Sequence, residues 1–176
     1  MKIKYKLLIG LGSIVMSCSA YADHPIVNPK VYQKYLETAL IWINPVTMEP
    51  TVNGTGQKPD IHDELDQHAL KGNDWGYGAG EWISNCQVAC VITKEGSDWS
   101  NVFPLMYMVA NDGPHYGRNV ALDGPGKYDE ECTIYPPDNG QFFRHTDSED
   151  GVGPWFNAYT IKGSFTWLGK GKAGGY

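Results

Sequence analysis

Asn101-Val102-Phe103-Pro104-Leu105-Met106-Tyr107-Met108-Val109 runs directly into Ala110-Asn111-Asp112-Gly113-Pro114-His115-Tyr116-Gly117. The first part is built from β-branched, aromatic and other apolar residues, which suit a strand. Asn-Asp-Gly-Pro then gathers four turn-forming residues in a row. The chain is therefore expected to reverse there. Reversal brings His115 back toward the end of the preceding strand, near Met108 and Asp112. A Met-x-Met strand taken alone more often packs into a core than holds a metal.

The same signature recurs on both sides of this segment. Leu40 to Pro45, Gly80 to Thr93, Gly126 to Tyr135 and Tyr159 to Leu168 alternate or carry β-branched and aromatic residues. Each is bounded by Gly, Pro, Asn or Asp. Another extended segment is expected around Ile61 to His68. Only Val31 to Leu40 reads as a helix. Glycine (21), tyrosine (11) and tryptophan (6) are abundant, which also favours β-structure. Short strands separated by turns, with no long 3.6-residue period, predict an all-β chain folded as an antiparallel β-sandwich. No internal repeat or low-complexity stretch interrupts it. Gly169 to Tyr176 is expected to be a mobile tail.

The start of the chain predicts export. Lys2, Lys4 and Lys6 precede the apolar stretch Leu7 to Met16, and Ala20-Tyr21-Ala22 has the small-x-small form of a cleavage site. The apolar stretch is too short to span a membrane, which takes about 20 residues. Residues 1–22 are read as a cleaved signal peptide and residues 23–176 as a single domain in the periplasm. Acylation at Cys18 is the competing reading, but Val15-Met16-Ser17-Cys18 fits a lipoprotein box poorly. The whole chain carries a net charge of −6. Cleavage removes three lysines and no acids, so the −6 becomes −9. That balance argues against a nucleic-acid partner and suits cations as ligands.

Three cysteines remain after cleavage: Cys86, Cys90 and Cys132. In an oxidising compartment at most one internal disulfide can form among them. Cys86, Val88 and Cys90 share one strand phase, and Tyr128, Cys132 and Ile134 share another. A bridge between two facing sheets, from Cys132 to Cys86 or Cys90, is expected.

The histidines fall in three groups of possible ligands, apart from His24, which sits at the cleavage point and is expected to be disordered. In Asp60-Ile61-His62-Asp63-Glu64-Leu65-Asp66-Gln67-His68, an extended chain puts His62 and Glu64 on one side, and likewise Asp66 and His68. Met106 to Gly117 offers Met108, Asp112 and His115. Phe142 to Gly153 offers His145 among Arg144, Asp147, Glu149 and Asp150. Incidental histidines on an acidic edge strand or a surface loop would look much the same. No zinc-protease motif, zinc-type cysteine pair, nucleophile elbow or phosphate loop is present.

Longer motifs give these groups meaning. Met108-Val-Ala-Asn-Asp-Gly-Pro-His-Tyr-Gly117 and Arg144-His-Thr-Asp-Ser-Glu-Asp-Gly-Val-Gly-Pro-Trp-Phe156 resemble one family in order and spacing. So do Asp60 to Asn73, Gly78 to Ile83 and Gly124 to Tyr128. It is the family of periplasmic high-affinity iron-transport proteins, typified by a nineteen-kilodalton periplasmic antigen and a related treponemal lipoprotein. The resemblance implies an immunoglobulin-like sandwich, a homodimer, copper binding, and service to iron import through an inner-membrane permease, without catalysis. Carried over by position, it implies copper ligands at His62, Met108, His115 and His145. It implies that Glu64 and Asp112 serve a second, harder metal, iron or manganese, and that Met48-Glu49-Pro50 lies close by. The cysteines depart from the family pattern and suggest a disulfide private to this branch.

Overall fold

The computed structural model describes residues 23–50, 58–138 and 140–170. The expected signal peptide lies outside the described residues, as does all of the expected tail beyond residue 170. Eight strands follow in order: β1 (His24–Tyr32), β2 (Leu36–Ile43), β3 (Ile61–Ala69), β4 (Gln87–Lys94), β5 (Ser100–Ala110), β6 (Gly113–Val120), β7 (Gly126–Tyr135) and β8 (Tyr159–Trp167). Among the described residues there is no helix.

The expected helix over Val31 to Leu40 is instead a hairpin. The chain reverses at Gln33 and Lys34, which both adopt the left-handed region (φ 47° and 67°). Beyond the turn a two-residue period takes over: Leu36, Thr38, Leu40 and Trp42 are buried, while Glu37 is exposed. That alternation is a strand signature. Between Gly80 and Thr93 the strand begins only at Gln87. Asn85, at φ 62°, breaks the run, and Trp82 makes a single bridge to His68. His24 is ordered within β1, its ring stacked on Trp42 at 4.0 Å.

The strands pair antiparallel in the order β1-β2-β3-β6-β5-β4-β7-β8. β5 holds the two halves together. Its first part pairs with β4, from Ser100 to Leu105, and its second with β6, from Met106 to Ala110. The outer strands β1 and β8 pack against each other, so the sheet curls until it is nearly closed. The interior is one apolar cluster that includes Leu40, Leu65, Ile92, Tyr128, Ile134 and Ile161. Burying each aliphatic side chain of this kind contributes roughly 1.5–3 kcal/mol. The buried Tyr116 hydroxyl ties β6 to the segment before β4, donating to Ile83 O (2.6 Å) and accepting from the Cys86 N–H (3.0 Å).

Cys132 pairs with Cys90, and Cys86 stays a buried free thiol. The bridge does not span facing sheets as expected. Cys90 and Cys132 are direct partners on the neighbouring strands β4 and β7. The inward phase that both share holds equally for adjacent strands, so phase alone did not separate the two arrangements.

Candidate metal centre

β3 is two-faced. Ile61, Asp63, Leu65, Gln67 and Ala69 are buried on one side. His62 and Glu64 project from the other into a cavity of about 960 Å³. The β5–β6 hairpin supplies the facing wall. Met108 and His115 are register partners across it, a consequence of the tight reversal at residues 111–112. Asp112, at the exposed tip of that turn, also lines the cavity, as do Asp23, Met48 and Glu49.

His62 is wholly buried and His115 is 6% exposed. Their rings meet edge to face, with centroids 6.1 Å apart. Glu64 Oε1 lies 3.4 Å from His62 Nε2 and 3.7 Å from His115 Nε2. Neither Nε2 has a hydrogen-bond partner in the protein. Two buried imidazole nitrogens left without partners would be costly unless something else satisfies them. A metal ion fits that need, because it takes the nitrogen lone pairs directly.

Gly117 forms the floor. A Cβ there would stand 2.9 Å from His62 Nε2 and 3.0 Å from Met108 Sδ. Both donor atoms therefore surround one point, and glycine alone keeps it open. Any larger residue would fill the space between nitrogen and sulfur.

Asn119 aims His62. Its Oδ1 accepts from His62 Nδ1 (3.0 Å) and from the Val46 N–H (3.1 Å), while its Nδ2 donates to Val46 O (2.7 Å). An amide oxygen can only accept, so Nδ1 must carry the ring proton and Nε2 keeps its lone pair for the cavity. The same side chain pins the start of the segment holding Met48 and Glu49. Burial pushes the His62 pKa down to about 4, with His115 adding to the shift and the Asn119 bond opposing it. The ring is thus neutral, the form that binds metal. Burial, then the charges of Asp66, Asp112, Asp23 and Asp63, pushes Glu64 up to about 7. An incoming cation would reverse those repulsions.

The structure brings His62, Glu64, Met108, Asp112 and His115 around one cavity. It does not bring His145 there within the chain. His145 stands in an exposed loop with its Nδ1 3.1 Å from Asp150 Oδ1. It lines a different concavity with Trp75, Arg144 and Trp155. Asn119 and Gly117 escaped the sequence reading as site residues. Asn119 stands opposite His62 only once the β3–β6 register is known.

Fold and site together define an all-β protein with a preformed pocket of imidazole, thioether and carboxylate donors. The chain belongs to the Fe2+ transport protein family, whose pattern it matches over residues 21–169. A UPF0423 protein of Brucella abortus is 38% identical over 169 residues, covering 93% of this chain and 92% of the relative. FetP of uropathogenic Escherichia coli strain F11, expressed in the periplasm, superposes with a TM-score of 0.77 at 36% identity, covering 85% of this chain and 98% of its own. Copper-reconstituted P19 of Campylobacter jejuni gives 0.76 at 35% identity, with coverage of 86% and 99%.

Proposed function

We propose that this chain is a periplasmic copper- and iron-binding component of a high-affinity iron uptake system that hands iron to an inner-membrane permease. The observation that carries the reading is the convergence of two unpartnered buried imidazoles, His62 and His115, with the Met108 thioether that meets His62 Nε2 over Gly117. Nitrogen with soft sulfur suits copper, and the thioether favours Cu(I). The copper-bound relatives support the same metal. Glu64 and Asp112 add hard oxygen donors, which suit iron or manganese beside the copper. The protein supplies binding and orientation and carries out no turnover of its own.

In this reading residues 1–22 are removed on export and residues 23–176 act as one immunoglobulin-like sandwich. The change of partner along β5 supports two packed layers sharing one strand. The fourth copper ligand, His145, comes from a second copy of the chain in a homodimer. Two observations favour this. His145 is exposed and remote from the cavity of its own chain. Exposed apolar residues accompany both halves of the site, Phe143 beside His145 and Tyr107 with Val109 at the cavity. Unpaired apolar surface of this kind marks an interface.

The test is metal analysis of the exported protein together with growth on limiting iron. Wild type should carry copper and restore growth to a strain lacking the gene. His115→Ala should lose both. Normal iron-limited growth with the copper-free variant would leave a copper carrier, with no part in iron supply.

A further inference from the structure

On the opposite face of β3 from the cavity, two acids are sealed in the core. Asp63 is fully buried and Glu130, on β7, is 2% exposed. Neither Asp63 oxygen meets a donor at hydrogen-bond geometry, although the Glu64 amide and the Glu130 carboxyl lie beside it. Glu130 Oε2 is likewise unpartnered. Its Oε1 lies 3.6 Å from Cys132 Sγ, which as a disulfide sulfur has no proton to donate. One donor atom from each of Asp63, Cys90, Glu130 and Cys132 falls within 4.8 Å of the others. Two buried carboxyls with no cation and no donor other than the proton they hold between them are a costly arrangement for a core. Beside a closed disulfide they have only each other.

We propose that opening the Cys90–Cys132 disulfide converts this cluster into a buried two-sulfur, two-carboxylate site for a divalent cation of the zinc class. A tetrahedral zinc with bonds of about 2.1 Å to oxygen and about 2.3 Å to sulfur holds its donors roughly 3.4–3.8 Å apart. Glu130 Oε1 already lies on that scale from Cys132 Sγ, at 3.6 Å, and the other donors, within 4.8 Å of one another, need shift by about an ångström while the freed sulfurs part. A dithiol reductant passes two electrons and two protons to the bridge, the S–S bond breaks, and the reductant leaves as its own disulfide. Metal binding then releases the two thiol protons, and whatever protons the two buried carboxyls hold, to water. A concavity of about 360 Å³ on the outer side of β4, β7 and β8 has Glu130 in its lining together with Thr93, Gly163 and Ser164. The site shares no donor with the His62–His115 cavity, so it stands or falls independently of the copper proposal.

The experiment uses the mature chain with His115→Ala and Cys86→Ser, which removes a ligand of the cavity and the spare thiol. It is titrated with Co2+, before and after anaerobic reduction and removal of the reductant. The reduced protein should take up one Co2+ with a near-ultraviolet sulfur-to-cobalt charge-transfer band, and Zn2+ should displace it. The oxidised protein should show no such band. Asp63→Asn and Glu130→Gln should each weaken the reduced site by at least about tenfold. A reduced, folded protein without the band overturns the proposal. So does a band that neither carboxylate substitution weakens. If reduction unfolds the chain, Zn2+ must restore its near-ultraviolet circular dichroism, and failure to do so is equally decisive.

Discussion

His62 can offer Nε2 to a metal because Asn119 occupies Nδ1. Asn119→Ala should therefore lower copper affinity by about 10–100-fold, the range for losing an outer-shell partner of a ligating histidine. Asn119→Asp keeps the acceptor for His62 but cannot donate to Val46 O. It should recover the affinity and the Cu(II) spectrum while freeing the Met48–Glu49 segment. Copper titration with electron paramagnetic resonance separates these from general destabilisation, which would move both variants alike. Among the ligands themselves, His115→Ala should cost more than Asn119→Ala. Met108→Ala should chiefly weaken Cu(I), since thioether is a soft donor. Glu64→Ala should keep copper and lose the harder metal. Titrations in both oxidation states check this, and a Glu64→Ala loss as severe as that of His115→Ala would merge the two sites into one. Much of this was legible in the sequence. Alternation put His62 beside Glu64, and a turn signal put His115 beside Met108. Asn119 and Gly117 were not legible as site residues, because their roles exist only across strands whose register no local pattern states.

At the scale of the strand, β3 carries ligands on one face and a buried acid on the other, and its inward partner on β7 sets a pH dependence. Burial first of all raises Asp63 from an ordinary 3.8 to about 7, and burial followed by the Asp63 charge raises Glu130 well above 4.5. Acids with raised folded pKa values bind protons in the native state that the unfolded chain has already lost. Their contribution is full below the unfolded values and is lost as pH rises through the folded ones. His62, pushed down to about 4 from 6.5, works in the opposite sense between those values. The loss therefore dominates above pH 6.5, where unfolded His62 is also shedding its charge, and Glu64, itself raised to about 7, adds to it in the same sense. The metal-free, disulfide-intact protein should lose several degrees of Tm between about pH 6.5 and 8.5, at roughly 2–4 °C per kcal/mol. Asp63→Asn and Glu130→Gln should each flatten that slope in a thermal melt, and an unchanged slope in both would show that the pair does not titrate there. Strand positions were largely readable from residue type and bounding turns. The β1–β2 hairpin was missed because Leu36-Thr38-Leu40 also satisfies part of a helical stripe, and the deciding turn uses Gln33 and Lys34 rather than glycine or asparagine. The disulfide partner was narrowed by phase but decided only by the pairing of β4 with β7.

At the scale of the whole molecule, one chain holds three of the four proposed copper ligands and leaves the fourth outside. A symmetric dimer supplies it twice, because a two-fold interface that carries His145 of one copy to the cavity of the other must do the reverse as well. No local sequence pattern contains that operation, which is why a dimer entered the sequence analysis only as what the family resemblance implies. Diluting the protein below its dimer constant should weaken copper binding together with dissociation. The sharper check is a mixed dimer of one His145→Ala chain and one His115→Ala chain. Each homodimer has two damaged sites. In the mixed dimer the His145→Ala chain keeps His62, Met108 and His115 and receives an intact His145 from its partner. Its companion site lacks both histidines. One wild-type-affinity copper per mixed dimer is the expected stoichiometry, read by titration of a tandem-purified heterodimer. If His145 instead folds back to serve its own chain, every site in the mixed dimer lacks one histidine and no wild-type site appears. If His145 is no ligand at all, the His145→Ala homodimer already binds two copper ions at full strength.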